Sequence, residues 1–86
     1  MATELRAAER RLERSYRRYA EAFGVALDRV TVSLERAADC RIDGVVTLAG
    51  DPVLLRRLKA VVDQRSPALK ALRRRTPVTL GLELAA

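Results

Sequence analysis

A strand with one buried face is encoded by Val30-Thr31-Val32-Ser33-Leu34-Glu35, in which apolar and polar residues alternate. The run from Cys40 to Leu48 repeats this alternation and predicts a second strand directly after the first. Within it, Asp43-Gly44 is typical of a tight turn or a bulge, and we expect one of the two there. Together the two strands predict a sheet with one apolar face and one polar face.

Two helices are predicted after these strands. Gly50-Asp51-Pro52 ends the second strand and starts a helix, with the aspartate as N-cap and the proline in the first turn. Apolar residues keep helical spacing from there to about Gln64. Ser66-Pro67 repeats the cap-then-proline signal, which predicts a second short helix over Pro67–Arg75. Alternatively, the proline only kinks one longer helix.

A helix from about Thr3 to Phe23 precedes the strands, and a last strand covers Val78 to Leu84. Gly24 ends the helix, since glycine adopts the left-handed cap without strain. Residues at steps of three and four form one apolar stripe. This stripe consists of Leu5, Ala8, Leu12, Tyr16, Tyr19 and Phe23. We expect its aromatic rings to pack in the core rather than to form a base-stacking platform.

The predicted order is therefore α-β-β-α-α-β, an α+β fold in which the helices cover one face of a small antiparallel or mixed sheet. The 86 residues predict a single domain, residues 1–86, with an N-terminal helix in 1–24 and a compact β-β-α-α-β core in 29–84. A sheet of three strands leaves its edges open, which favours self-association or a partner.

Several classes of function are excluded or disfavoured by composition. The chain has no histidine, so histidine bases and histidine metal ligands are excluded, and its single cysteine, Cys40, cannot form an intrachain disulfide. We interpret Cys40 as a small packed residue. Asp39, Asp43 and Asp51 match no calcium loop and suit turns or caps. We therefore expect no catalytic activity, no cofactor and no metal. The absence of a long apolar run and of a secretory signal predicts a cytoplasmic protein without a membrane span.

Charge is concentrated in one part of the chain. Residues 51–75 contain eight basic and two acidic residues, so this segment alone carries +6, the formal charge of the whole chain. Such a concentration suggests an anionic partner, although a solvated helix face is the other interpretation. The candidate nucleic-acid-binding residues are Arg56, Arg57, Lys59, Arg65, Ser66, Lys70, Arg73, Arg74 and Arg75.

The first helix also carries six arginines, but four glutamates are interleaved with them. Glu13 and Arg17 are spaced as an i,i+4 pair. For this helix we favour a solvent face with internal ion pairs over a binding surface.

Residues 29–84 resemble the type II KH-like fold, and within it the ribosome-binding factor A family. The likeness rests on the strand at Val30-Thr31-Val32, the strand end Leu48-Ala49-Gly50-Asp51, the two helices and the strand Thr76-Pro77-Val78-Thr79-Leu80. The resemblance implies RNA contact through the helix–junction–helix face, here Arg65 to Arg75. The junction Gln64-Arg65-Ser66-Pro67 contains no glycine, unlike the GxxG of a KH domain, which leaves an electrostatic mode of binding.

A second resemblance concerns Asp43-Gly44-Val45-Val46-Thr47-Leu48-Ala49-Gly50, which looks like the hairpin and turn of BON domains. Those domains are implicated in lipid or protein contacts. Two hypotheses follow. The first is a non-catalytic basic module that binds RNA or a ribonucleoprotein through residues 56–75. The alternative is a structural or assembly subunit that acts through protein–protein contacts or as a homo-oligomer.

Overall fold

Three helices and three strands follow one another in the computed structural model, which describes residues 2–85. The elements are α1 (Ala2–Ala22), β1 (Arg29–Arg36), β2 (Ile42–Ala49), α2 (Pro52–Arg65), α3 (Pro67–Arg75) and β3 (Val78–Leu84). The predicted α-β-β-α-α-β order and the α+β class are confirmed.

The sheet is mixed, with β2 in the centre. β1 pairs with β2 in an antiparallel register that places Val32 opposite Val46, and β3 pairs with β2 in a parallel register that places Leu82 opposite the same residue. Because β2 and β3 run in the same direction, the chain must return from the end of β2 to the level of its first residue before β3 begins. The helices α2 and α3 form this long connection.

Two separate helices meet at Ser66, so Pro67 divides the segment rather than kinking one helix. The backbone of Ser66 is extended, with φ −63° and ψ 118°, as expected for a residue that precedes proline. Its N–H donates to the carbonyl of Val62 at the end of α2, and its hydroxyl accepts from the N–H of Leu69 at the start of α3. Asp51 caps α2 in the predicted manner.

The hairpin between β1 and β2 differs from the prediction in two respects. The turn lies in residues 37–41, where Cys40 is exposed and has a left-handed backbone with φ 68°, so its interpretation as a packed residue is wrong. Gly44 forms neither a turn nor a bulge, because β2 runs straight through it opposite Leu34. The glycine faces the core, where side chains of Leu34 and Leu80 occupy the space that a Cβ would need.

The core lies between the helices and one face of the sheet. Alternate residues of β1 and β2 are buried, and the intervening ones are mostly exposed. The largest fully buried side chains are Leu12, Tyr16, Ile42, Val46, Leu48, Leu55, Leu58, Val62, Ser66 and Leu69. The opposite face of the sheet is open and exposes Thr31, Ser33, Glu35, Asp43, Val45, Thr79 and Glu83.

The two sheet edges differ. Along β1, the carboxylate of Glu9 accepts from the N–H of Leu34 at 2.8 Å, and that of Glu13 accepts from the N–H of Val32 at 3.2 Å. These are amides that would otherwise point away from the sheet, so α1 closes this edge. Within residues 2–85, no side chain bonds to the backbone of β3, whose outer edge stays open as predicted.

Candidate nucleic-acid interface

The predicted ion pairing between the glutamates and the arginines of α1 is present only in part within residues 2–85. Glu13 accepts from the amide of Val32 and does not contact Arg17. Glu9 is buried against β1, and within residues 2–85 its ion-pair partner is Arg6, at 2.9 Å. The prediction of an internally paired solvent face is therefore confirmed for Arg6 and Glu9 and wrong for Glu13 and Arg17. Two of the four glutamates of the helix serve the sheet edge.

Most arginines of α1 are consequently unpaired. Within residues 2–85, five exposed guanidinium groups of the helix form no ion pair. These belong to Arg10, Arg11, Arg14, Arg17 and Arg18. Unpaired guanidinium groups keep all their donors available for a phosphate, which they bind in a bidentate manner.

Three of these arginines face α3 across a groove. One part of the groove, of about 230 Å³, is lined by Arg11, Arg14 and Arg18 of α1 and by Pro67 and Ala68 of α3. The small residues at the start of α3 leave room between the two helices. The groove therefore has three cations along one wall and an uncharged opposite wall at this end.

The groove continues along α3 towards its carboxyl end. There Arg11 faces Ala68, Ala71 and Arg75, so basic side chains project from both walls. Arg75 also lies 3.7 Å from Glu4, but both side chains are largely exposed, and such pairs contribute little. We refer to the surface formed by Arg11, Arg14, Arg18 and Arg75 as the α1–α3 groove.

The other predicted residues of α3 lie outside this groove. Lys70, Arg73 and Arg74 are exposed and form no ion pair within the described chain. On the helical wheel of α3, Lys70 and Arg74 fall on the outer face next to the groove. They extend the basic surface outwards from the groove wall.

The predicted residues of α2 are divided among different environments. Arg56 and Arg57 are exposed, and Arg57 lines a separate groove with apolar residues. Lys59 is 2.6 Å from Asp63, and only 13% of its side chain is exposed, so its charge is already partnered. The structure therefore does not combine all the predicted residues in one surface.

At the junction between α2 and α3, Arg65 is exposed but Ser66 is fully buried. The hydroxyl groups of Ser66 and Ser15 are 3.0 Å apart, and that of Tyr19 donates to the carbonyl of Arg65. Ser66 thus caps a helix and joins the junction to α1, and its hydroxyl does not reach the surface. These bonds hold α1 beside α3 and so define the width of the groove.

The aromatic residues of the predicted apolar stripe are not all in the core. Tyr16 is fully buried, but Phe23 is 53% exposed, so the prediction of core packing is wrong for this ring. Phe23 stacks on Tyr19 with ring centroids 6.4 Å apart and planes inclined by 16°. It also lines an apolar groove of about 290 Å³ with Val25, Leu54, Arg57, Leu58 and Val61.

The aspartates considered as ligands of a cation have separate structural roles. Asp39 pairs with Arg41 at 2.8 Å in the hairpin turn, and the hydrogen bond from the Arg41 side chain lowers the pKa of that carboxyl. Asp51 accepts the first amides of α2. Across residues 2–85, no group of three or more acidic or cysteine side chains is placed to hold a metal ion.

Arg11, Arg14 and Arg18 are not among the residues predicted from the sequence, because the glutamates of the same helix were expected to neutralise them. The signal was present on the helical wheel. Glu9 and Glu13 lie at one border of the apolar stripe, whereas Arg11 and Arg18 lie at the other. Acids and bases on opposite borders cannot neutralise one another.

No known protein family model matches this chain, and no curated protein matches it. None of the helices within the described residues is both long enough and apolar enough to cross a membrane.

Proposed function

We propose that this protein is a non-catalytic module that binds RNA through the α1–α3 groove and the adjoining arginines of residues 65–75. The observation that carries the proposal is the line of three guanidinium groups, of Arg11, Arg14 and Arg18, that form no ion pair within the described residues and lie along the groove. Phosphate neutralisation by such groups supplies most of the affinity of sequence-independent nucleic-acid binding. The resemblance of residues 29–84 to KH-like domains supports the same class of ligand.

The alternative interpretation of these arginines is a solvated face that serves only solubility. A solvated face is expected to intersperse acids with bases. Here Glu4 lies 3.7 Å from Arg75 at one end of the groove, but Glu9 and Glu13 bind the sheet edge. Among the described residues, no carboxylate lines the part of the groove formed by Arg11, Arg14 and Arg18. The distribution of acidic and basic side chains therefore favours a surface that binds an anion.

Binding of a short oligouridine and of an RNA hairpin, measured over a series of salt concentrations, tests the proposal. We expect affinity to fall steeply with salt, because each neutralised phosphate of a single strand contributes about 0.7 to the log–log slope. Affinity that does not change with salt would contradict phosphate neutralisation.

A matched pair of double variants locates the surface. Arg11→Ala with Arg18→Ala removes two charges from the groove, and Arg10→Ala with Arg17→Ala removes two at the same spacing from positions of the same helix that do not line the groove. We expect the first pair to weaken binding about tenfold and to reduce the slope by about 1.4, and the second to have less than a third of that effect on affinity. Equal effects would show that net charge matters and the groove does not.

Arg73-Arg74-Arg75→Ala tests the part of the surface that the sequence itself predicts. These residues form the last turn of α3, so some of their charge stabilises the helix end. Circular dichroism of the variant therefore accompanies the binding measurement. A folded variant with unchanged RNA affinity would remove residues 73–75 from the interface.

A second candidate function, assembly through self-association, is favoured by the open edge of β3. The N–H of Ile42 bonds to the carbonyl of Pro77, and the N–H of Ala85 bonds to that of Leu48. By alternation, the N–H groups of Leu80 and Leu82 point away from β2. These groups could pair with β3 of a second copy and extend the sheet.

Light scattering tests this candidate. A dimer that Thr79→Lys with Gly81→Lys converts to a monomer would support edge pairing, since both positions lie on β3 and face away from the core. Lysines opposite one another across a paired edge repel. A wild-type monomer at high concentration would eliminate the candidate.

A further inference from the structure

The apolar groove between the end of α1 and α2 is distinct from the α1–α3 groove and has no role in the function proposed so far. Phe23 follows the last residue of α1, and Gly24, with φ 68°, turns the chain away from the helix axis. The ring therefore stands outside the core, although its spacing continues the apolar stripe. Leu54 of α2, 38% exposed, borders the same groove.

An exposed aromatic ring beside an exposed leucine and half-buried valine side chains is costly to leave in water, and such patches mark binding sites. The groove has a volume of about 290 Å³. One face of Phe23 is engaged by Tyr19, which fixes the orientation of the ring. The rest of the ring borders the groove.

The charge at this groove is positive. Among the residues that line the groove, Arg57 is the charged one. Phe23 stacks on Tyr19, and the hydroxyl of Tyr19 donates to the carbonyl of Arg65. No carboxylate lines the groove within the described residues. A flat aromatic surface with a guanidinium group beside it complements a nucleobase and its phosphate, which carry a π-face and a negative charge.

We propose that this groove binds an unpaired nucleobase, which stacks on Phe23 while the guanidinium group of Arg57 contacts the phosphate of the same nucleotide. This inference rests on the proposed RNA-binding function and adds to it a preference for single-stranded segments. Stacking is tolerant of sequence, because every base has a π-face. The site therefore selects unpaired nucleotides over a bare sugar–phosphate chain without reading a particular base.

The test compares two ligands with equal numbers of phosphates, a short oligouridine and an abasic strand of the same length. Stacking of one base contributes about 1–3 kcal/mol, so we expect wild-type protein to bind the oligouridine about 5 to 150 times more tightly than the abasic strand. Both strands should show the same salt dependence, because the phosphate contacts are shared.

Matched variants assign the preference to the groove. Phe23→Leu keeps an apolar side chain and removes the ring, and we expect it to abolish most of the preference while leaving abasic binding unchanged. Val53→Ala, at an exposed apolar position of α2 outside the groove, is the control and should keep the preference. Arg57→Ala should weaken binding of both strands more than Arg56→Ala, because only Arg57 lines the groove.

The outcomes separate the two proposals. Equal binding of both strands by wild-type protein would overturn the base site and leave phosphate binding intact. A preference for oligouridine that persists in Phe23→Leu would also overturn the base site. This is the result expected if the groove instead holds an apolar segment of a protein partner. Binding of neither strand would overturn both proposals.

Discussion

Tyr16 is the largest fully buried side chain, and its hydroxyl has no hydrogen-bond partner within the described residues. Burial raises the pKa of this hydroxyl above its ordinary value of 10.0, and the nearby carboxylate of Asp63 raises it further. Arg73 acts in the opposite direction but does not compensate. The ring is needed to fill the core, whereas the hydroxyl contributes nothing that the described contacts reveal.

We therefore expect Tyr16→Phe to leave the free energy of unfolding unchanged or to raise it by about 1 kcal/mol at neutral pH, because it removes an unpaired buried polar group. Above pH 10.0 the unfolded chain loses a proton that the folded protein keeps. Because of this difference at Tyr16, the free energy of unfolding of the wild-type protein should fall by about 1.4 kcal/mol for each pH unit above this value.

Denaturant titrations at neutral pH and at several pH values above 10 measure both effects. Tyr16→Phe should lose the alkaline slope that Tyr16 causes. Tyr19→Phe is the matched control, since Tyr19 is half-buried and its hydroxyl, within residues 2–85, donates to the carbonyl of Arg65. If Tyr16→Phe destabilises the protein by more than 1 kcal/mol at neutral pH, the hydroxyl has a partner and this reasoning is wrong.

Gly44 and Gly81 provide a contrast on neighbouring strands. A Cβ at Gly44 would lie 2.5 Å from a methyl carbon of Leu34 and 3.2 Å from the carbonyl oxygen of Ser33. At Gly81, the nearest atom would be the carbonyl oxygen of Gly44 at an ordinary 3.8 Å. Both residues have ordinary strand geometry, so space alone distinguishes them.

We expect Gly44→Ala to lower the free energy of unfolding by about 1–3 kcal/mol, because Leu34 must leave its position in the core. Gly81→Ala should be neutral or raise it by about 0.5 kcal/mol, because alanine loses less backbone entropy. Thermal and urea unfolding of the two variants check the contrast. Similar losses in both would indicate a general intolerance of the sheet rather than a local steric conflict.

At the scale of elements, α1 closes the edge of β1 through two carboxylates. Glu9 is buried and bonds to the amide of Leu34, whereas the bond from Glu13 to the amide of Val32 is longer and half-buried. The bonds fix the rotation of α1 about its axis. They consequently direct Arg11, Arg14 and Arg18 towards α3.

We expect Glu9→Ala to lower the free energy of unfolding by about 2 kcal/mol, since a charged hydrogen bond to a buried amide is lost. Amide hydrogen exchange of Leu34 should become faster, while the core amide of Val46 should follow only the global change. Glu21→Ala, at an exposed position of the same helix, is the control. Unchanged exchange at Leu34 would show that the amide is protected by something other than this carboxylate.

The order and type of the six elements could be predicted because each has a strong local signal, such as the alternation in residues 30–35 and the caps at Asp51 and Ser66. The contacts that each element makes with its neighbours could not be predicted in this way. Periodicity identifies the centre of a buried face but not the element that lies at each of its borders. The roles of Glu9 and Phe23 depend on which elements lie at those borders. The position of the candidate site depends on the same contacts.

At the scale of the whole molecule, the charges separate across the layers. The helical face exposes the arginines of α1, α2 and α3, whereas the open face of the sheet exposes Glu35, Asp43 and Glu83. The molecule measures 36 × 25 × 19 Å, and its shortest dimension is more than twice the Debye length of about 8 Å at physiological salt. Charges on the sheet face are therefore screened from a ligand bound on the helical face.

This separation predicts that adding positive charge to the sheet has little effect on RNA binding. Glu35→Lys with Glu83→Lys increases the net charge by four, a larger change than the loss of two arginines from the α1–α3 groove. We expect oligouridine affinity at physiological salt to change less than threefold, and the salt slope to stay the same, because no new phosphate contact forms. A more than tenfold gain in affinity would show that RNA responds to net charge rather than to the groove. Since the substituted positions are exposed on β1 and β3, the variant should fold, and circular dichroism verifies this before the comparison.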